Sequence, residues 1–165
     1  MRILGVDPGT RTVGYGLLDP GPRRLGGLAF RYVECGVIEA PREADLAARL
    51  HVVATTLAEI IEEFEPGALA IEKAFTGRNA ASALKLGQAR GAIMLVATQY
   101  ELPVFEYAPS SIKRVVFGHG RATKAQIQHR MQTLFRLRRT PLSDAADALA
   151  IALCHGQSAL VEMSR

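Results

Sequence analysis

Ile3-Leu4-Gly5-Val6-Asp7-Pro8-Gly9-Thr10-Arg11-Thr12-Val13-Gly14-Tyr15-Gly16-Leu17-Leu18 opens the chain as an apolar strand, a turn and a second apolar strand. Asp7-Pro8-Gly9 is a turn signal: proline presets φ, and glycine adopts backbone angles that other residues avoid. The first strand, Ile3 to Val6, therefore stops at Asp7, and Val13 to Leu18 resumes after the turn, interrupted by glycine. Asp19-Pro20-Gly21-Pro22 is a second loop, and a third strand follows from Phe30 to Ile38. Strands joined in this way predict an antiparallel meander.

Beyond it the hydrophobic period changes. Leu46, Leu50, Val53, Leu57, Ile60, Ile61 and Phe64 recur at helical spacing, which predicts an amphipathic helix over residues 43–65, ended by Pro66-Gly67. Ala68 to Ile71 is a fourth strand, residues 80–100 a second long helix, and Pro103 to Tyr107 a fifth strand. Pro109 opens a short helical turn, Gly118-His119-Gly120 is a flexible loop, and Thr123 caps a helix reaching Phe135. Ser143 caps a last helix from Asp144 to Leu153. The expected fold is α/β: a mixed five-stranded sheet, with three antiparallel strands followed by alternating helix and strand, flanked by helices.

A chain of 165 residues fits one domain, taken as residues 1–165. With 48% hydrophobic and 22% charged residues it has the balance of a globular protein, and no apolar run is long enough to span a bilayer. The N-terminus lacks a signal-peptide layout, so a cytoplasmic protein is expected. Cys35 and Cys154 form no CxxC pair and read as buried free thiols. The net charge is +4, which favours a polyanionic partner only mildly. Its distribution says more. Acidic residues dominate from Glu34 to Glu72, whereas from Lys73 to Arg139 the cations are opposed only by Glu101 and Glu106.

Four acids stand where chemistry is expected. Asp7 follows the first strand and Glu72 the fourth, and ligand sites in open α/β sheets gather beyond the carboxyl ends of strands. Asp144 and Asp147 lie three residues apart in the first turn of the last helix and so share a face. Taken singly, Asp7 reads equally as a turn residue and Asp144 as a complement to the helix dipole. Asp147 sits among Ala145, Ala146, Ala148 and Leu149 with no basic side chain on its own helix, so a metal ion is a sensible counter-charge. Carboxylate oxygens select Mg²⁺ or Mn²⁺ rather than zinc. Two such ions about 4 Å apart can clamp the attacking and leaving oxygens of a phosphoryl displacement. The chemistry expected is hydrolysis of a phosphodiester by an activated water, with Asp7, Glu72, Asp144 and Asp147 as catalytic and metal-binding acids.

Several stretches then resemble one family. They are Val6-Asp7-Pro8-Gly9-Thr10, Ala70-Ile71-Glu72-Lys73-Ala74-Phe75, Ser82-Ala83-Leu84-Lys85-Leu86-Gly87-Gln88-Ala89-Arg90-Gly91, Glu106-Tyr107-Ala108-Pro109, Thr123-Lys124-Ala125-Gln126 and Asp144-Ala145-Ala146-Asp147-Ala148-Leu149-Ala150. In this order, over almost the whole chain, the set resembles the RuvC-type Holliday-junction resolvases. The resemblance implies a ribonuclease-H-like fold, a homodimer, and symmetric paired nicks in a four-way DNA junction, in recombination and repair with the RuvAB branch-migration machinery. It matches Asp7, Glu72 and Asp147 to the family's metal-binding acids and Asp144 to a position that some members fill with histidine. It matches Phe75 to an aromatic that meets bases, and Lys113 and Lys124 to cations near the scissile strand. The loop Pro20 to Gly27 and the basic stretch Arg136 to Arg139 depart from the pattern.

Other features carry two readings each. Phe75 with Arg78 and Asn79 is either a base-stacking, DNA-binding loop or, at Phe75, core. Ala80, Ala83, Gly87 and Gly91 form a small-residue stripe that packs either on the protein's own sheet or across a two-fold dimer seam. His51 and His129 read as solvated, His119 as solvated or near phosphate, and His155 as a C-terminal helix residue meeting the dipole. Asp7, Gly9 and Thr10 also fit the phosphate-holding turn of actin-like kinases and ATPases, but those need a second such domain and nothing here repeats the motif.

Overall fold

The computed structural model describes residues 1–21, 30–73 and 80–162. Strands β1 (Ile3–Asp7), β2 (Thr12–Pro20), β3 (Phe30–Glu39), β4 (Ala68–Glu72) and β5 (Val104–Tyr107) form one sheet in the order β3-β2-β1-β4-β5. The β1–β2 and β2–β3 pairs are antiparallel, whereas β1–β4 and β4–β5 are parallel. Helices α1 (Leu46–Phe64), α2 (Ala80–Gln99), α3 (Pro109–Phe117), α4 (Lys124–Phe135) and α5 (Ser143–Glu162) complete the described chain. The expected α/β sheet is therefore present, and none of its helices is long and apolar enough to cross a membrane.

Alternation along the central strands assigns the two faces. Leu4, Val6, Leu69 and Ile71 turn to one side and pack with Val53, Leu57 and Ile61 of α1 and Ile93 and Val96 of α2. Ile3 and Ala70 turn to the other side, against α5, with α3 and α4 completing that layer through Ile112, Val116, Ile127 and Met131. Full burial of a side chain such as Leu57 or Leu149 is worth roughly 1.5–3 kcal/mol relative to exposure.

The α5 face is built for close approach. A Cβ added at Gly5 would stand 2.1 Å from the carbonyl oxygen of Ala148, and one at Gly14 only 1.9 Å from that of Asp144. Alanines on the helix and glycines on the strands thus let α5 lie almost directly on the sheet backbone. α5 also runs longer than expected, continuing past Leu153 to Glu162. Gly156 does not end it. A Cβ there would meet the Phe30 ring at 2.4 Å, so the missing side chain is a packing requirement. His155 is consequently a buried mid-helix residue, hydrogen-bonded with the Tyr107 hydroxyl through Nδ1 at 2.8 Å and packed against the tilted ring of Phe105, not a helix terminus.

Candidate active site

The strand period that buries Ile3 and Gly5 against α5 carries Asp7 to the same face at the end of β1. Ala68 and Ala70 do the same for Glu72 at the end of β4. The parallel register pairs Val6 with Ile71, so the two acids leave neighbouring strands side by side. On the other wall, α5 starts directly over Gly14, the residue paired with Asp7 across β1–β2. Its first turn therefore brings Asp144 and Asp147 onto Asp7. One carboxylate oxygen from each of Asp7, Asp144 and Asp147 lies within 4.8 Å of the others. Glu72 stands outside that group of three but lines the same cavity.

The cavity measures about 200 Å³ and is lined by Asp7, Glu72 and Asp147, by Lys113 and Lys124, and by apolar side chains including Ile112, Ile127 and Ile151. Burial, followed by repulsion from Asp147, Glu72 and Asp144, pushes the Asp7 carboxyl up to about 8. Burial likewise raises Glu72 and Asp147, with Asp147 adding to the rise at Glu72 and Lys124 opposing the rise at Asp147. Clustered oxygen donors that resist ionising together have the chemistry of a divalent-cation site, because a cation removes the repulsion.

Asp147 does have a cationic neighbour within the protein. The Lys124 ammonium lies 3.7 Å from a carboxylate oxygen of Asp144 and 3.7 Å from one of Asp147. Lys124 comes from a different helix, so inspecting α5 alone misses it. Its position is set by a capping box. The Thr123 hydroxyl accepts from the Gln126 N–H at 3.3 Å, and the Gln126 side chain accepts from the Thr123 N–H at 2.8 Å. That box starts α4 with Lys124 in its first turn. Lys113, on α3 behind the N-terminal Pro109, reaches the cavity from beside it.

The other expected positions divide. Phe75, Arg78 and Asn79 lie outside the described residues, as does most of the Pro20 to Gly27 loop. Gly87 and Gly91 are exposed on α2, and no described atom comes within 4 Å of a Cβ added at either, so they do not pack on the sheet. Ala83 is half-buried, His51, His119 and His129 are exposed, and Arg136, Arg138 and Arg139 form an exposed end to α4 and the loop beyond. Cys35 and Cys154 are free thiols, Cys154 buried as expected but Cys35, on the edge strand β3, only half-buried.

The sequence pattern of the family described as Crossover junction endodeoxyribonuclease RuvC matches residues 3–155. The chain belongs to the RuvC family. A RuvC from Halorhodospira halophila is 50% identical over 155 residues, covering 93% of this chain and 89% of the relative. A RuvC from Teredinibacter turnerae is 49% identical over 160 residues, 94% of this chain and 88% of the relative. The solved structure of Thermus thermophilus RuvC in complex with Holliday junction substrate superposes with a TM-score of 0.86 at 31% identity, covering 98% of this chain and 96% of that one. The sheet and helices are thus the ribonuclease-H-like arrangement of RuvC, and RuvC membership displaces the actin-like reading of Asp7-Pro8-Gly9-Thr10.

Proposed function

We propose that this chain resolves four-way DNA junctions by metal-dependent hydrolysis of phosphodiester bonds, nicking opposed strands in pairs during recombination and repair. The observation that carries the reading is the meeting of Asp7, Asp144 and Asp147 beside Glu72 in a lysine-flanked cavity of a RuvC-family protein. Asp7, Glu72, Asp144 and Asp147 would hold Mg²⁺, with Mn²⁺ able to substitute and two ions per site. Bound there, such ions activate water and neutralise charge on the phosphate. The apolar wall of Ile112, Ile127 and Ile151 limits water around the acids and strengthens their interaction with cations. The Lys124 side chain, 69% exposed beside the acids, would pair with an incoming phosphate, and Lys113 would meet the same strand from α3. Phe75, Arg78 and Asn79 would contact junction bases and backbone, and RuvAB is the expected branch-migration partner. The deciding experiment is incubation of a synthetic four-way junction and a linear duplex of the same sequence with Mg²⁺, then with EDTA. Paired nicks in the junction alone, lost with EDTA, are expected; equal cutting of the duplex, or cutting in EDTA, overturns the reading.

A pH dependence follows from Asp7. An unfolded aspartate titrates at its ordinary value of 3.8, whereas the folded group titrates at about 8. Between those values the folded state holds a proton that the unfolded state has released, so stability falls as pH rises through this window. Chelator-treated protein should melt at progressively lower temperature as pH rises from 3.8 to about 8, and saturating Mg²⁺ should flatten the curve because it binds the ionised acids. A melting temperature independent of pH in EDTA would count against the electrostatics of the cluster.

We propose also that the protein acts as a homodimer joined through α2. Leu84, Gly87, Gly91 and Leu95 recur at helical spacing on one face, with Leu84 67% and Leu95 60% exposed. Leucines flanking bare glycines leave an apolar face open for a second helix to approach closely, with Ala83 at its margin. Two sites at a fixed separation also suit paired nicks in a two-fold junction. Gly87→Leu should overpack such a seam, at about 1–3 kcal/mol. In sedimentation the variant should shift toward monomer and make unpaired nicks, with its monomer fold intact. Wild-type protein that stays monomeric at micromolar concentration yet nicks in pairs would sink the idea.

A further inference from the structure

The buried face of α2 carries a charge: Arg90 is only 7% exposed, beside Ala89 and Ile93. A guanidinium stays ionised at any ordinary pH, and burying one is unfavourable unless its charge and its donors are met. Both conditions hold here. One arm of the fork donates to the main-chain carbonyl of Glu72 and the other to the carboxylate of Glu106. These acceptors sit at the ends of neighbouring parallel strands, where Ile71 pairs with Glu106 and Glu72 with Tyr107. The Lys73 N–H donates to the Tyr107 carbonyl at 2.8 Å, closing the same junction from the other side. Arg90 therefore ties α2, β4 and β5 together at the residue where Glu72 leaves the sheet for the cavity.

We propose that Arg90 is a positioning residue for cutting: its fork, aimed by Glu106, fixes the backbone of Glu72 and hence the carboxylate that faces the acid cluster. The inference rests on the reading of Glu72 as a cation ligand. Groups that orient ligands from behind commonly change metal affinity or activity by about 10–100-fold when altered. Arg90→Lys retains a charge but cannot reach both acceptors with a planar fork, and Arg90→Gln removes the charge as well.

The test is direct Mn²⁺ binding to the DNA-free protein by electron paramagnetic resonance, alongside junction gel shifts in EDTA, cutting rates and melting temperatures. Both arginine variants should lose about tenfold or more in Mn²⁺ affinity and in cutting rate, with junction affinity unchanged and excess Mn²⁺ restoring part of the rate. A folded Arg90→Lys protein that binds Mn²⁺ and cuts like the wild type overturns the proposal. Should neither arginine variant fold, Glu106→Gln carries the test: a several-fold loss of Mn²⁺ affinity supports it, and wild-type affinity overturns it. Glu72→Gln run in parallel separates the two levels. If it binds Mn²⁺ like the wild type, the ligand reading of Glu72 fails and Arg90 falls with it; if it loses affinity while Arg90→Lys does not, the Arg90 proposal alone fails.

Discussion

Asp7→Asn is expected to abolish junction cutting while making the metal-free protein more stable. Asp7 is the most perturbed of the acids, its carboxyl pushed up to about 8 by burial and by Asp147, Glu72 and Asp144 around it. Such crowding is unfavourable without a cation and useful with one. An asparagine keeps the shape, removes the repulsion above the ordinary aspartate range, and removes an anionic ligand. At pH 8 in EDTA the variant should melt above the wild type by at least about 2–4 °C, the shift that 1 kcal/mol gives a chain of this size. Mg²⁺ should no longer raise its melting temperature as it does the wild type's. Asp147→Asn and Glu72→Gln should likewise stop nicking, and Asp144→Asn should impair it. Junction gel shifts should persist in all four, because binding relies on lysine and arginine side chains rather than on the acids. Calorimetry with and without Mg²⁺, beside a cutting assay, checks both halves. A variant that cuts at the wild-type rate removes its residue from the site.

Junction affinity should fall by about 10³–10⁵ between roughly 50 and 200 mM salt if six to ten phosphates are neutralised. The net charge of +4 understates the local field, since Lys113 and Lys124 line the acid cavity and Arg121 joins Lys113 in the adjoining one. Every phosphate paired by such a cation releases condensed counterions, and added salt opposes that release. Lys113→Ala and Lys124→Ala should each lower the slope of log affinity against log salt by about one. Each should also weaken cutting, because both side chains stand beside the acids. A titration by fluorescence anisotropy measures the slope; an affinity indifferent to salt would rule out binding dominated by phosphate contacts.

Much of this was legible along the chain because it rests on local rules. Pro8-Gly9 forces the turn after Asp7, helical spacing from Leu46 to Phe64 marks α1, and Thr123 starts α4. The end of α5 was not legible, because Gly156 reads the same whether it stops a helix or receives the Phe30 ring. The small-residue stripe was equally ambiguous. Glycine spacing on α2 is compatible with a sheet contact or an outer seam, and only the packing of Ile93 and Val96 on the sheet side leaves Gly87 and Gly91 outside.

The sequence by itself determined which acids are available and which strand ends and helix turn carry them, since turns, caps and side-chain alternation act over a few residues. Tertiary structure alone decided how they meet. Gly5 and Gly14 admit α5 onto the sheet closely enough to bring Asp144 and Asp147 to Asp7. The packing of α4 against α5 places Lys124 between those two aspartates, and the fold of α2 over β4 and β5 places Arg90 behind Glu72. These contacts join residues far apart in the chain, and their electrostatics depend on burial and distance, which no local pattern encodes.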